Sequence, residues 1–320
     1  MLEERIAESV RALKLSAELS KKYYGQKLVV TYSGGKDSDV MLHIAENHLK
    51  PDDFEVINSH TSVDAPPTVK HIRETKRRLN SKGIEMTIHF SIGEDGKQLN
   101  MAKLIAINKY PPTRTARYCC KYLKETSVPN RFCALGVRGA ESANRKGRDI
   151  FATRGVEGGG VKTGGGRFFS LDHVEEVHHG NGLYVDEALT GAMERKEGII
   201  VNPIYYWTDS EIWQYIRKYD VSVNPLYFPP YNYKRVGCLL CPMATYSEKM
   251  KQCVDFPGYK KLYIRAFDNM LKVREETGLR NREGWETGED VFNWWVQEYK
   301  HNVKGQITIE EWLGSVNGKA

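Results

Sequence analysis

The chain has 320 residues, of which 40% are apolar and 28% charged, with a formal net charge of +6. These are ordinary proportions for a globular protein, and no window reaches the roughly 18 apolar residues that a membrane span needs. The modest positive balance favours anionic ligands, small phosphorylated ones as readily as nucleic acid, and six cysteines without a secretory signal point to a reducing, cytoplasmic setting.

The first segment, MLEERIAESVRALKLSAEL, is an amphipathic pattern expected to form a helix of the fold. Residues 28 to 33 (LVVTYS) read as a strand that turns through Gly34 and Gly35 into the helical DSDVMLHIAENHL. A second strand, FEVINSHTS, leads through Ala65-Pro66-Pro67 into a helix, TVKHIRETKRRLNSKG, and then a third strand, EMTIHFS. RFCALGVR and GIIVNPIYYW continue the series. This alternation predicts an α/β fold with a doubly wound parallel sheet, whose ligand site lies beyond the carboxyl ends of the strands.

Residues 155 to 183 carry Gly158-Gly159-Gly160 and Gly164-Gly165-Gly166 and read either as a surface excursion or as a lid that closes over substrate. The adjacent His178 and His179 in this stretch read as solvated and receive no role. From about residue 255 apolar residues return at helical spacing in YKKLYIRAFDNMLKVREETGL and GEDVFNWWVQEYK, and Thr308 to Glu311 has capping-box spacing. The expected organisation is a nucleotide-binding domain over 1–254 and a helical C-terminal subdomain over 255–320.

A strand that turns through glycines into a helix aims backbone N–H groups and the positive end of the helix dipole at one point, which suits phosphate. In Ser33-Gly34-Gly35-Lys36-Asp37-Ser38 the glycines let the backbone approach, the serines add hydroxyls and Lys36 adds charge. Asp37 would help hold Mg2+ or serve the helix start. Farther on, Cys119-Cys120 in ARYCCKYLKE and the C-x-x-C of Cys238 and Cys241 in RVGCLLCPMA supply four soft ligands, a set that suits zinc or an iron–sulfur cluster. Adjacent cysteines diverge and meet one tetrahedral ion poorly, which tilts the reading to a cluster. Cys133 reads as a small buried apolar residue, and Cys253 as a helix-face residue or a sulfur-handling thiol.

SGGKDS resembles the PP-loop of the adenine-nucleotide α-hydrolase-like ATP pyrophosphatases. SHTSVDAPPTVKHI, GVRGAESANR and IVNPIYYWTDSEIWQYI further resemble the phosphoadenosine-phosphosulfate (PAPS) reductase branch over roughly residues 25 to 270. The resemblance implies nucleotide contacts from Ser33, Gly34, Gly35, Lys36, Asp37, Ser38, Arg138 and Arg145, with Lys36, Asp37 and Arg138 in catalytic roles. Guanidinium groups suit phosphate or sulfate oxygens because they present a planar fork of donors. The cysteine arrangement is similar to that of the iron–sulfur sulfonucleotide reductases and implies a 4Fe-4S cluster on Cys119, Cys120, Cys238 and Cys241, with zinc as the alternative.

Sulfonucleotide reductases resemble one another in a catalytic cysteine near the C-terminus, whereas this sequence ends EEWLGSVNGKA with no cysteine after Cys253. The leading expectation is therefore ATP-dependent adenylylation of an acceptor, with pyrophosphate release, coupled to sulfur transfer. The DNA phosphorothioation enzyme of this branch is the nearest analogy. It implies ATP or another adenine nucleotide and Mg2+ as ligands, and a nucleic-acid acceptor and a sulfur-donor protein among the partners. Two rivals stand beside it. One is a PAPS or adenylyl-sulfate reductase that releases sulfite; the other is a non-catalytic nucleotide- or nucleic-acid-binding accessory protein, for which Arg73, Lys76, Arg77 and Arg78 would offer a basic face or merely a solvated one.

Overall fold

The computed structural model describes residues 2–128, 130–141, 145, 147–153, 167–179 and 186–297. Both triple-glycine runs and the Thr308–Glu311 spacing lie outside the described residues.

The amphipathic opening forms α1 (Leu2–Leu19), which buries Ala12, Leu13, Leu15 and Leu19 against the main core. It is also pinned by polar groups, since the Trp207 indole donates to Ser9 Oγ at 3.0 Å and that hydroxyl donates to Pro203 O at 2.7 Å. β1 (Leu28–Thr31) is the apolar run read from the sequence; Leu28, Val29 and Val30 have no exposed surface, as a strand covered on both faces requires. α2 (Lys36–His48), β2 (Phe54–Ser59), α3 (Pro66–Ser81) and β3 (Met86–His89) follow in the expected alternation.

α4 (Met101–Asn108), capped by the Asn100 carboxamide, and α5 (Tyr118–Leu123) precede β4 (Phe132–Ala134). Next come β5 (Phe151–Thr153), β6 (Phe168–Phe169), α6 (Leu171–His179), α7 (Glu187–Glu194) and β7 (Ile199–Val201). β6 and α6 occupy residues of the glycine-rich stretch.

The seven strands form one sheet in the order β3-β2-β1-β4-β7-β5-β6. β3, β2, β1, β4 and β7 are mutually parallel, so the doubly wound reading holds for the part of the sheet that carries the phosphate loop. β5 corrects the purely parallel expectation, because it runs antiparallel to both of its neighbours, β7 and β6. The reason is the path of the chain. A parallel partner needs a crossover that returns to the other end of the sheet, whereas β5 begins at the carboxyl end, where Phe151 faces Val201 at the end of β7.

The strand order reverses at β1, with β2 on one side and β4 on the other, and the carboxyl ends of β1 and β4 open together at this switch point. The last part of the chain adds α8 (Asp209–Lys218), α9 (Tyr246–Asp255), α10 (Pro257–Glu276) and α11 (Gly288–Val296). A second core draws Val63, Met101, Leu104 and Leu123 together with Tyr263, Phe267, Phe292 and Trp295. α10 and α11 touch so closely that a Cβ on Gly288 would stand 2.2 Å from Ile264 O. Among the described residues no helix is long and apolar enough to cross a membrane.

Candidate nucleotide and cysteine site

The loop between β1 and α2 is held in shape by its own hydroxyls. Ser38 Oγ donates to Gly35 O at 2.8 Å and accepts from the N–H groups of Ser33 and Gly35 at 3.3 and 3.2 Å. Ser33 Oγ lies 3.1 Å from Ser38 Oγ, and the Ser33 residue faces solvent where a ligand would enter. Gly34 has φ 73° and packs on α3, so that a Cβ there would meet Ile72 Cγ1 at 3.0 Å. Only glycine takes this backbone without strain. From β4 comes a second close approach: a Cβ on Gly136 would stand 3.1 Å from Ser38 N, against backbone that has nowhere to go.

Four charges meet at the mouth of the loop. Lys36 Nζ lies 3.3 Å from Asp37 Oδ2 and 3.0 Å from Asp209 Oδ1. Arg138 donates from Nε to Asp37 Oδ1 at 2.7 Å and from Nη2 to Asp209 Oδ1 at 3.1 Å. Lys36 and Arg138 are buried, at 6% and 3% exposure, whereas the Asp209 side chain is 63% exposed. Burial works to raise the Asp209 pKa, but Lys36 and Arg138 win and hold it below the ordinary value. The site is thus a neutral square of two buried cations, one loop carboxylate and one exposed carboxylate. Arg145 lies beside this square, paired with Glu141, and burial together with the charges of Arg235, Arg148 and Arg138 lowers its pKa.

The structure brings together Lys36, Asp37 and Arg138, which the sequence reading named; that reading assigned nothing to Asp209, Asn224, Tyr227 or Arg235. Asn224 Nδ2 donates to Gly34 O at 2.8 Å and to Thr68 Oγ1 at 2.9 Å, while the Tyr227 hydroxyl accepts from Lys36 N–H at 3.0 Å. A Cβ on Gly35 would lie 3.9 Å from Val236 O. The segment that begins at Asn224 therefore runs over the phosphate loop and arrives, two residues after Val236, at Cys238. Polar residues flanking Pro225 were the available signal, but nothing in their spacing says which loop they cover.

Cys238 is joined to the end of β2: it bridges Asp64, Leu239 N–H donates to Val63 O at 2.8 Å, and Cys238 Sγ donates to Thr61 Oγ1 at 3.5 Å. Cys119 and Cys120 come from α5, on the other side. All four cysteines are free and half-buried, and Cys120, Cys238 and Cys241 each act electrostatically on Cys119. The hydrogen bond from Cys119 and that from Arg117, against burial, lower the Cys120 thiol to about 5. Cys119, which keeps the proton of the pair, is pushed up. Lys124 stands exposed at the rim, and Cys238 first, with Asp64, Cys120 and Cys241, raises its ammonium pKa.

This donor set fits a thiolate-ligated group. Cations at the rim favour deprotonated sulfur. Four thiols, two from α5 and two from the loop after Val236, suit zinc or a cluster of several metals.

Cys133 is fully buried in β4. Cys253, on α9, is half-buried and its thiol is pushed up by burial. Arg78 on α3 pairs with Glu46, while Arg73 and Arg77 face solvent.

Comparison with known proteins matches the same part of the chain. The phosphoadenosine phosphosulfate reductase domain matches residues 27–244. An adenosine 5'-phosphosulfate reductase of Staphylococcus haemolyticus is 34% identical over 244 residues, covering 76% of this chain and 82% of that protein. Two uncharacterized proteins of Methanocaldococcus jannaschii are each 24% identical over 84% and 81% of this chain, which spans only 54% and 44% of their length. Among solved structures, the PAPS reductase of Candida auris gives a TM-score of 0.38 at 14% identity, covering 70% of this chain and 87% of that one. The U34-tRNA thiolase NcsA of Methanococcus maripaludis with its 4Fe-4S cluster gives 0.36 at 12%, covering 92% and 84%. With the domain matched over 27–244 and a relative 34% identical, this chain belongs to the phosphoadenosine phosphosulfate reductase domain family.

Proposed function

We propose that the chain adenylylates an acceptor with ATP, releases pyrophosphate, and couples this to sulfur transfer onto the activated acceptor. The single observation that supports the reading is the shared wall: the segment from Asn224 to Cys241 covers the phosphate loop with its first residues and supplies two cysteines with its last.

In this reading the triphosphate enters at Ser33, meets the amino end of α2, and replaces the Asp209 carboxylate on Lys36 and Arg138. An acceptor oxygen attacks the α-phosphorus; the bond to the bridging oxygen breaks, and pyrophosphate leaves with its electron pair. Lys36 and Arg138, already aimed at one point, stabilise the charge that grows on the leaving group without reorganising. Asp37, at the start of α2, would hold Mg2+, which would supply further positive charge to the phosphates. A sulfur nucleophile then forms its bond to the acceptor atom as AMP departs with the oxygen. A cluster on Cys119, Cys120, Cys238 and Cys241 would supply iron with affinity for the transferring sulfur. The thiolate ligands imply a reducing compartment, the cytoplasm, and the acceptors to be tried first are nucleic acids.

The experiment is anaerobic incubation of the full chain with Mg-ATP and candidate RNA and DNA acceptors, followed by pyrophosphate and sulfur incorporation. Pyrophosphate release that depends on acceptor, and no sulfite from PAPS or adenylyl sulfate with thioredoxin, is expected. A second reading, sulfonucleotide reduction, is favoured by the 34% identity to the Staphylococcus protein. It requires a thiolate to attack the sulfate sulfur, and Cys253 is the half-buried candidate with its pKa raised. Sulfite production abolished by Cys253→Ser would replace the first reading with the second.

A further inference from the structure

A cluster of ligating side chains lies far along the chain from the loop and the cysteines, where α1 meets α6. We propose that Glu18, His178 and His179 form a site for one divalent first-row transition ion of the kind imidazole binds, and that the ion staples α6 to α1. One ligand atom from each of the three lies within 4.8 Å of the other two. His178 Nε2 is 3.8 Å from Glu18 Oε2, close to the separation of about 3 to 4 Å set by metal bonds of about 2.0 to 2.2 Å. The two imidazole rings have their centroids 4.6 Å apart at an interplanar angle of 56°.

Ion pairs join the two helices. Arg11 on α1 pairs with both Asp172 and Glu175 on α6. Glu18 is seven residues beyond Arg11, and His179 is seven residues beyond Asp172, so at about 1.5 Å of rise per residue both advance by about the same length along their helices. The donors therefore come from two elements that ion pairs already bring together.

The His178 side chain is only 13% exposed, and the nitrogen that faces Glu18 is Nε2, the donor this site would use. Two imidazoles and a carboxylate leave the remaining coordination positions to water, a donor set suited to zinc, nickel or copper rather than calcium or magnesium.

The test is calorimetric titration of Ni2+ into the untagged full chain with its cysteine site loaded, in wild type, Glu18→Ala and His179→Ala. Both altered side chains are exposed, so neither change disturbs the core. Wild type is expected to show one site that weakens at least about tenfold in each variant. Ni2+ is also expected to raise the melting temperature of wild type alone. Equal Ni2+ affinity in wild type and either variant overturns the proposal.

Discussion

The phosphate loop and the cysteine site are neighbours built on opposite principles. The loop is a rigid object at the open end of a parallel sheet. Its turns are closed by Ser38, its walls are set by contacts with Ile72 and Gly136, and its charges are balanced by Asp37 and Asp209. The cysteine site has no strand beneath it. Its sulfurs arrive from α5 and from the loop after residue 236, are backed by the α4, α10 and α11 core, and lie beside Arg117 and Lys124, with only the Cys120 thiol lowered by its hydrogen bonds from Cys119 and Arg117. One region is closed by its own hydrogen bonds and ion pairs; the other gathers four thiols from two elements.

The comparison breaks most visibly at Gly288. An alanine there places a Cβ 2.2 Å from Ile264 O and 2.6 Å from Asp268 Oδ1, so α10 and α11 must part, at a cost of more than about 3 kcal/mol in urea unfolding. Iron content should fall with it, because this core backs the cysteines. Lys36→Ala should do the reverse. Loss of a charged phosphate contact weakens ATP by about 2 kcal/mol, some tenfold to a hundredfold in calorimetry, with iron content unchanged.

Gly136→Ala tests the loop's rigidity directly. The added Cβ presses on the backbone of Asp37 and Ser38, and a loss of about 1 to 2 kcal/mol in stability should come with weaker nucleotide binding. The smallest effect is expected at Asp209. Its exposed carboxylate competes with phosphate for Lys36 and Arg138, so Asp209→Ala should tighten binding of magnesium-free nucleotide by a few-fold, on the scale of an exposed ion pair. Weaker binding in that variant would make Asp209 a partner of the nucleotide instead of its rival.

Much of this contrast could be read before any coordinates. The strand, glycine turn and helix of residues 28–48 are local, and periodicity with turn chemistry places Lys36 and Asp37 at a helix start. Arg138 and the four cysteines were legible as residue types with a known use. Asp209 was not, because its role depends on the approach of α8 to the loop from more than 170 residues away. Nor were Asn224 and Tyr227, which act through backbone groups of Gly34 and Lys36. β5 escaped because three residues carry no period, and its antiparallel direction follows from a chain path that the sequence does not display. The same limit hid Glu18, whose partners are fixed by the packing of α1 on α6.

The central claim is that the loop and the cysteines, joined through Asn224 to Cys241, work as one site. The most direct measurement is visible circular dichroism of the anaerobic, iron-loaded protein during titration with Mg-ATP. The account predicts a saturable change in the cluster bands that follows calorimetric binding and disappears in Lys36→Ala. Bands that stay constant while ATP saturates the loop would contradict it.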